Sequence, residues 1–331
     1  MAMKTRRRVG PFDVSALSLG CMNLSHAYGT PPDQETARKV LHLALDSGVD
    51  FFDTAALYGF GANESLVGPV LKPYRDHITL ASKCGMTGVD GKRVIDGRPD
   101  TIKRTCDEAL VRLNTDVIDL YYLHRWDKQV PVEDSVGALA DLVHAGKIRA
   151  IGLSEVSAVT LRKAHAVHPI AAVQSEYSLW TRNPEIAVLE TCRELGTAFV
   201  AFSPLARGFL TGTLTDPSVL EAKDIRRQMP RFDAVPYAAN MALFQDFKQV
   251  AAEVGCTPAQ LALAWVLARG DHVVALFGTK SLAHLAEDLG ADGVAIGEDI
   301  VSRLDRLINT DTVSGARYNP ATQSEIDTEE F

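Results

Sequence analysis

Residues 148–174 read IRAIGLSEVSAVTLRKAHAVHPIAAVQ. This stretch contains a short apolar run, a segment in which polar and apolar residues are mixed, and a second short apolar run. Residues 148–153 and 172–174 have the length and β-branched composition of buried strands, and residues 156–167 between them have a helical period. A strand, a crossover helix and a second strand of this length form a unit with parallel strands. This stretch therefore predicts an α/β fold.

The same alternation continues over the rest of the chain and gives eight strand candidates in total. Eight parallel strands with helices between them favour a closed (β/α)8 TIM barrel, because an open doubly wound sheet more often has five or six strands. The other predicted strands are 17–19, 51–52, 78–81, 117–123, 198–202 and 273–276, and the other predicted helices are 34–46, 101–113, 132–145, 184–195 and 258–268.

The ends of the chain predict additions to a single domain. No composition break marks a boundary, so residues 1–331 are expected to form one domain with its core at about 7–310. The basic run before Gly10-Pro11 predicts a short N-terminal hairpin rather than an anion-binding arm. Residues 298–308 predict an extra C-terminal helix, and residues 311–331 a polar, mobile tail. The long stretch 203–236 predicts a functional loop at the barrel mouth.

The composition argues against several functional classes. The 331 residues are 46% hydrophobic and carry a formal charge of −8, whereas nucleic-acid binders normally carry a basic face. No apolar run is long enough for a membrane span, and the N-terminus lacks the apolar core of a secretory signal. The five cysteines are far apart, which excludes CxxC pairs and suits a cytoplasmic protein without a cysteine-ligated metal.

Four polar residues follow predicted strands 2, 3 and 4, and these are Asp53, Tyr58, Lys83 and His124. The carboxyl ends of barrel strands meet at one face, so these side chains are expected to converge there. Each alone also has a structural explanation, since the aspartate could cap a helix, the tyrosine could pack, the lysine could extend to water and the histidine could lie satisfied in the core.

Together the four residues predict a device that delivers a proton to a carbonyl oxygen. A phenol with its ordinary pKa near 10 is a weak acid at neutral pH, and a nearby ammonium group is expected to lower that pKa. A carboxylate would keep the lysine charged, and an imidazole would orient the carbonyl oxygen. A carbonyl polarised in this way is ready to accept a hydride at carbon.

Seven motifs resemble, in order along about residues 7–310, those of the aldo-keto reductases, and most closely the bacterial and plant branch that includes pyridoxal and perakine reductases. They are LGCM (19–22), FFDTAALYG (51–59), ASK (81–83), YYLHRWD (121–127), GKIRAIGLSE (146–155), QSEYSLW (174–180) and SPLARGFLTG (203–212).

This resemblance implies an NADPH-dependent oxidoreductase that reduces aldehydes or ketones to alcohols, with Tyr58 as general acid in a tetrad with Asp53, Lys83 and His124. It also implies NADP(H) bound across the barrel mouth without a Rossmann domain. The alternative that it leaves open is a redox-sensing, NADPH-binding regulatory subunit resembling potassium-channel β subunits. The implied cofactor residues are Gly20, Met22, Asp53, Ser154, Gln174, Phe202, Ser203, Pro204, Leu205, Arg207, Gly208, Leu210, Gly278, Thr279, Lys280, Ser281, His284, Glu287 and Asp288.

Two loops favour anion binding on chemical grounds as well. The Ser-Pro-x-x-Arg-Gly sequence at 203–208 directly follows a strand and predicts an anion site with charge-assisted bonds from Arg207, which the resemblance assigns to the pyrophosphate. The residues after the last strand open a helix whose N-terminus favours a phosphate, and the resemblance assigns Lys280 to the 2′-phosphate. Phe277, Glu155, Asp288 and His284 depart from the family pattern, and the last two lower the expected attraction for phosphate.

The substrate pocket is predicted from aromatic residues in loops near the mouth. Tyr28, Phe60, Trp126 and Trp180 could form its apolar wall, although core packing is an equal alternative for each. The expected partner is a small carbonyl compound, and the oligomeric state cannot be read from the sequence.

Overall fold

The computed structural model of the protein describes residues 3–331. Its chain begins with an antiparallel hairpin of β1 (Arg6–Val9) and β2 (Phe12–Ser15), joined by a turn in which Gly10 has a positive φ of 55°. Val9 and Val14 are fully buried and pack with residues inside the barrel, such as Phe51. The predicted N-terminal hairpin is therefore present, and it closes one end of the barrel.

The strands after the hairpin are β3 (Leu17–Gly20), β4 (Phe51–Asp53), β5 (Thr79–Cys84), β6 (Met86–Val89), β7 (Lys92–Ile95), β8 (Ile118–Leu123), β9 (Ile148–Ser154), β10 (Ile170–Glu176), β11 (Ala198–Phe202) and β12 (Val273–Phe277). Eight of them are parallel and form a closed barrel in the order β3-β4-β5-β8-β9-β10-β11-β12, with β12 paired back to β3. This confirms the predicted TIM barrel.

The helices surround the barrel and turn their apolar faces toward it. In the first helix, Asp33 accepts a hydrogen bond from the Thr36 amide at the N-cap, and Val40 and Leu41 are fully buried. The helices α1 to α11 are Gln34–Asp46, Ala62–Leu71, Pro99–Leu113, Val132–His144, Ala158–Val167, Val188–Leu195, Ala234–Val254, Pro258–Leu267, Leu282–Leu289, Glu298–Leu307 and Pro320–Gln323.

Two elements lie outside the predicted pattern. The antiparallel hairpin of β6 and β7 is inserted after β5, and its Val89 and Val94 are exposed, so it lacks the alternation of a half-buried strand. Helix α7 has 21 residues and begins inside the stretch predicted as a long loop. Pro236 in its first turn gave that stretch a turn-like composition. Residues 203–233 do form a loop with short 3-10 turns, as predicted.

The C-terminal segment 311–331 packs against the barrel, so the expectation of a mobile tail is wrong. Tyr318 and Ile326 are buried. The Lys128 ammonium donates to the Ser324 and Ile326 carbonyls, at 3.0 Å and 2.8 Å. The polar composition of the segment reflects ion pairs and capping bonds to the barrel rather than solvation.

Across residues 3–331 no single helix combines the length and hydropathy of a membrane span, and only the pair α7 and α8, bent by 82° at their junction, reaches them together.

Candidate active site

A cavity of about 770 Å³ lies at the carboxyl ends of the barrel strands, which is within the size range of small-molecule sites. It brings together most of the residues predicted from the sequence. The predicted residues that line it are Gly20, Met22, Tyr28, Asp53, Tyr58, Phe60, His124, Ser154, Gln174, Phe202, Ser203, Pro204, Leu205, Arg207, Gly208, Gly278, Thr279, Lys280, His284, Glu287 and Asp288.

The four candidate catalytic side chains meet at the base of this cavity. Lys83 Nζ forms an ion pair with Asp53 and donates to the Tyr58 hydroxyl at 3.1 Å and to the Thr54 carbonyl at 2.8 Å. The His124 ring lies edge-on to the Tyr58 ring, with 5.8 Å between the ring centroids. The tyrosine and histidine line the cavity, whereas the lysine is fully buried behind them. This arrangement places a phenol at the surface of the cavity with a cation directly behind it.

The positions of these residues follow from the barrel strands. Asp53 ends β4, Lys83 lies near the end of β5, and His124 follows β8. Because β4 pairs with β5 and β5 with β8, the three side chains are neighbours around the barrel wall. Tyr58 is carried by the loop after β4, which ends in a 3-10 turn at the start of α2.

Burial sets the protonation state of the phenol, and here the expectation from the sequence is corrected. Burial raises the pKa of Tyr58, and the Lys83 charge opposes this effect without overcoming it. The phenol is therefore protonated at neutral pH, which a proton donor requires. Burial disfavours the charged form of Lys83, but Asp53 and Tyr58 together outweigh this effect and raise the pKa of the ammonium group.

Asp53 is held by two partners in the buried network. Gln174 donates to its Oδ2 atom at 2.8 Å, and Lys83 binds the other oxygen. Burial raises the pKa of this carboxyl, while the ammonium and the amide counteract the rise. The carboxylate thus keeps the lysine in place and connects β4 to β10 across the barrel.

His124 is a neutral imidazole. Burial, followed by the nearby Arg125 and Lys83 charges, holds its pKa well below the ordinary value. Its Nδ1 atom is buried without a hydrogen-bond partner among the described residues. A neutral imidazole that lines the cavity can donate a hydrogen bond to a carbonyl or hydroxyl oxygen there without competing with Tyr58 for a proton.

The other side of the cavity has backbone geometry unusual for non-glycine residues. Glu155 and Ser203, each directly after a barrel strand, have φ values of 56° and 51°, and Arg207 has 56°. Such left-handed conformations cost energy and concentrate at ligand sites. Gly278 is needed for close packing, since a Cβ atom there would lie 3.1 Å from the Gly20 carbonyl oxygen.

Arg207 does not offer a free guanidinium for a pyrophosphate. Its Nη2 atom donates to Glu176 at 2.5 Å and to the Tyr318 hydroxyl at 2.8 Å, and the side chain is only 7% exposed. The cation is already neutralised by a buried carboxylate from the end of β10, so its predicted charge-assisted role requires a phosphate oxygen to share it with Glu176.

Four other predicted site residues do not line the cavity. Leu210 is fully buried, and the Ser281 hydroxyl accepts the His284 amide as the N-cap of α9. Trp180 is buried in the core, stacked on Phe209 with 4.3 Å between ring centroids. The Trp126 indole instead packs against the core and donates to a carbonyl of its own loop, at Val130. For both tryptophans the packing alternative is the correct one.

Several residues that line the cavity were not predicted. Arg125 follows His124 directly, and its Nη1 atom donates to the His124 carbonyl at 2.6 Å and to Ser154 Oγ at 3.2 Å. His26 is stacked beside Tyr58, with 6.5 Å between ring centroids. Arg125 is part of the YYLHRWD motif, and its position just after a barrel strand could have predicted that it lines the cavity. Others include Asn23, Leu57, Met86, Arg93, Arg226, Tyr318, Asn319, Thr322 and Glu325.

A buried ion cluster anchors the C-terminal segment beside the cavity. Arg317 donates to Glu155 Oε2 at 2.6 Å and to Glu176 Oε2 at 3.1 Å, and all three side chains are at most 8% exposed. Burial would raise the pKa of Glu176, but Arg207, Arg317 and then Arg231 outweigh it and hold the pKa at about 2. The cluster therefore needs an ionised Glu176.

This depressed pKa predicts a component of acid sensitivity. Since the carboxyl titrates near 4.5 in its ordinary state, its contribution to stability is complete above that pH and is lost as pH falls through about 2. The free energy of unfolding should decrease by roughly 3 kcal/mol from this group over that range. Urea unfolding at several pH values should show that the free energy of unfolding falls less steeply toward acid pH in Glu176→Gln than in wild type.

Glu194→Gln is the matched control, because that carboxylate lies on α6 and is about half exposed in a pair with Arg162. If the free energy of unfolding falls equally steeply toward acid pH in wild type and Glu176→Gln, Glu176 is not a source of the acid sensitivity.

The chain is similar over most of its length to known proteins of one family. The profile described as "Aldo/keto reductase family" matches residues 16–309. "Aldo-keto reductase yakc [NADP(+)]" of Schizosaccharomyces pombe is 41% identical over 327 residues, covering 97% of this chain and 96% of its own length. "Probable aldo-keto reductase 1" of Glycine max is 42% identical over 310 residues, covering 93% and 89%.

Solved structures show the same architecture. The glycerol dehydrogenase AKR11B4 from Gluconobacter oxydans superposes with a TM-score of 0.85 at 28% identity, covering 97% of this chain and 99% of its own. The holo form of aldo-keto reductase AKR11C1 from Bacillus halodurans gives a TM-score of 0.78 at 27% identity, with coverages of 96% and 99%.

Proposed function

The chain belongs to the aldo/keto reductase family, and from this premise we propose that it reduces an aldehyde or ketone to an alcohol with NADPH, using Tyr58 as the proton donor. The observation that carries the proposal is the Lys83–Tyr58 hydrogen bond of 3.1 Å at the base of the cavity, with Asp53 behind it and His124 beside it. The family uses NADP(H), and the relative from Schizosaccharomyces pombe is named for NADP(+).

The lining of the cavity includes polar and aromatic side chains suited to an extended dinucleotide. Ser154 and Gln174 present a hydroxyl and an amide at one end, next to Asp53, and we assign them to the nicotinamide carboxamide. Phe202 offers an aromatic face beside them, and Lys280 lies in the lining after β12. When bound, the cofactor supplies the hydride.

The residues of the chain supply the proton and hold the carbonyl group. The oxygen of the substrate would bind between the Tyr58 hydroxyl and the neutral His124 ring, which polarises the carbonyl. As carbon gains the hydride, the oxygen takes the phenolic proton, and the Lys83 ammonium stabilises the phenolate that remains. One hydride and one proton convert the C=O group into CH–OH, and a proton from solvent restores the phenol.

The test is a panel of activated aldehydes incubated with the purified protein and NADPH, with cofactor oxidation followed by absorbance. Turnover on the order of one per second or more with at least one compound supports the reductase, since typical enzymes work at that rate or faster. Turnover below about one per minute on every compound would instead favour the redox-sensing subunit.

Lys280 tests the preference for NADPH. Its Nζ atom donates to the Tyr28 and Thr30 carbonyls, at 3.1 Å and 2.8 Å, which leaves one N–H for a phosphate oxygen. Lys280→Ala should raise KM for NADPH by about tenfold and change KM for NADH much less, because a charge-assisted bond to the 2′-phosphate is lost.

Steady-state kinetics with both cofactors provide the measurement. Equal effects on the two cofactors would show that Lys280 only ties the loop at 28–30 to the rim.

A further inference from the structure

The reacting end of the cavity contains charged side chains that the proton-transfer mechanism does not use. The carboxylates there are each neutralised by a cation. Asp53 pairs with Lys83, and Glu325 binds the Arg93 guanidinium with both oxygens. These pairs leave little net charge of their own.

Arg125 is a cation at this end of the cavity that has no carboxylate partner among the described residues. Its guanidinium is half-buried, lines the cavity and donates through Nη1 to the His124 carbonyl and the Ser154 hydroxyl, which are uncharged. Among the residues that the structure describes, no carboxylate oxygen lies within 4.0 Å of it. A half-buried cation without a counterion is costly, and a ligand anion would offset that cost.

The position of Arg125 connects it to the reaction. It directly follows His124 in the chain, and its charge acts on both Tyr58 and His124. Arg93 adds a second cation whose charge reaches His124, although Glu325 neutralises it. The walls between these groups include apolar side chains, namely Leu57, Phe60 and Met86.

We propose that the substrates of this site are carbonyl compounds that bear a carboxylate, and that the Arg125 guanidinium binds that carboxylate while the carbonyl oxygen lies at Tyr58. This inference rests on the proposed reductase function and specifies its substrate class. A planar guanidinium binds a carboxylate through two parallel N–H donors. Within residues 3–331, the Nε and Nη2 atoms of Arg125 have no hydrogen-bond partner, because both bonds of this side chain are made by Nη1. The substrate body would contact the apolar wall.

The experiment compares each acid with its methyl ester, which has nearly the same shape and no charge. Suitable pairs are 4-carboxybenzaldehyde, 3-carboxybenzaldehyde and succinic semialdehyde with their esters, which vary the spacing between the carbonyl and the carboxylate. Wild type should show a kcat/KM for at least one acid about tenfold or more above that of its ester. Arg125→Met should lower this ratio by about ten- to a hundredfold.

Two further variants distinguish a direct contact between Arg125 and the substrate carboxylate from a general effect of positive charge on the protein. Arg125→Lys keeps the charge but loses the fork of donors, so it should retain part of the preference. Arg193→Met removes one positive charge from the exposed surface of α6, where it pairs with Glu190, and should leave the ratio unchanged.

The outcomes distinguish this inference from the function on which it rests. Turnover of esters and acids at equal efficiency for every spacing would overturn the substrate class and leave the reductase function intact. Equal losses for acid and ester in Arg125→Met, with a raised KM for NADPH, would assign the arginine to the cofactor and also overturn it.

If no aldehyde is reduced, the reductase function fails, and calorimetric titration of the NADP⁺-loaded protein with benzoate and methyl benzoate still tests the anion site. Binding of benzoate that Arg125→Met abolishes supports the site, and equal binding of both compounds contradicts it.

Discussion

Tyr58→Phe should lower kcat by a factor on the order of 10² or more while NADPH still binds with unchanged affinity. The substitution removes one oxygen atom, and that atom is the only part of the side chain that accepts a hydrogen bond from Lys83. Because the ring is buried and stays in place beside His124, the shape of the cavity is preserved. The loss is therefore specific to proton transfer.

Single-turnover kinetics and titration of NADPH fluorescence measure the two quantities separately. Tyr177→Phe is the matched control, because it also removes one tyrosine hydroxyl. That hydroxyl donates to Glu185, and Tyr177 does not line the cavity. Undiminished turnover of Tyr58→Phe would remove the proton-donor assignment, and a large loss of cofactor affinity would show that the ring is a binding residue instead.

Lys83→Met should lower both turnover and stability. The ammonium group and the Asp53 carboxylate are at most 2% exposed, so the substitution leaves a buried carboxylate without its cation. Removing one partner of a buried ion pair typically costs about 3–5 kcal/mol of unfolding free energy. The loss should shrink at lower pH, because burial raises the pKa of Asp53 and protonation then removes the unpaired charge.

Urea unfolding at two pH values, with activity assayed alongside, tests this. The double variant Asp53→Asn/Lys83→Met should recover part of the stability without recovering turnover, since no buried charge remains but the phenol has lost its cation. Arg303→Met, which breaks an exposed pair with Glu253, should cost much less stability. Equal losses in the buried and exposed variants would show that the pair contributes little.

The fold was predictable because its signal is repeated along the chain. Eight apolar runs and the helices between them have the spacing of βα units, and the family motifs lie in the same order. The convergence of Asp53, Lys83 and His124 follows from the topology alone, because all three come at strand ends in neighbouring strands. Their roles in catalysis remain predictions that the variants above test.

The direction in which a loop side chain points was not predictable. Trp180 and Trp126 lie in loops near the mouth, but one is stacked on Phe209 and the other is turned back to its own loop. Arg207 carries a charge suited to phosphate, and only the fold shows that Glu176 already neutralises it. These outcomes depend on contacts between residues far apart in sequence, to which local patterns are insensitive.

The order of the contacts around Arg317 has a consequence for how the protein matures during translation. The partners of this arginine, Glu155 and Glu176, precede it by 162 and 141 residues. On the ribosome all eight strands are therefore synthesised before the Arg317 guanidinium that binds these two carboxylates. Glu176 can pair with Arg207 before that, whereas Glu155 has no ion-pair partner other than Arg317 among the described residues, so the charge of Glu155 beside the cavity is balanced only after residue 317 has been synthesised.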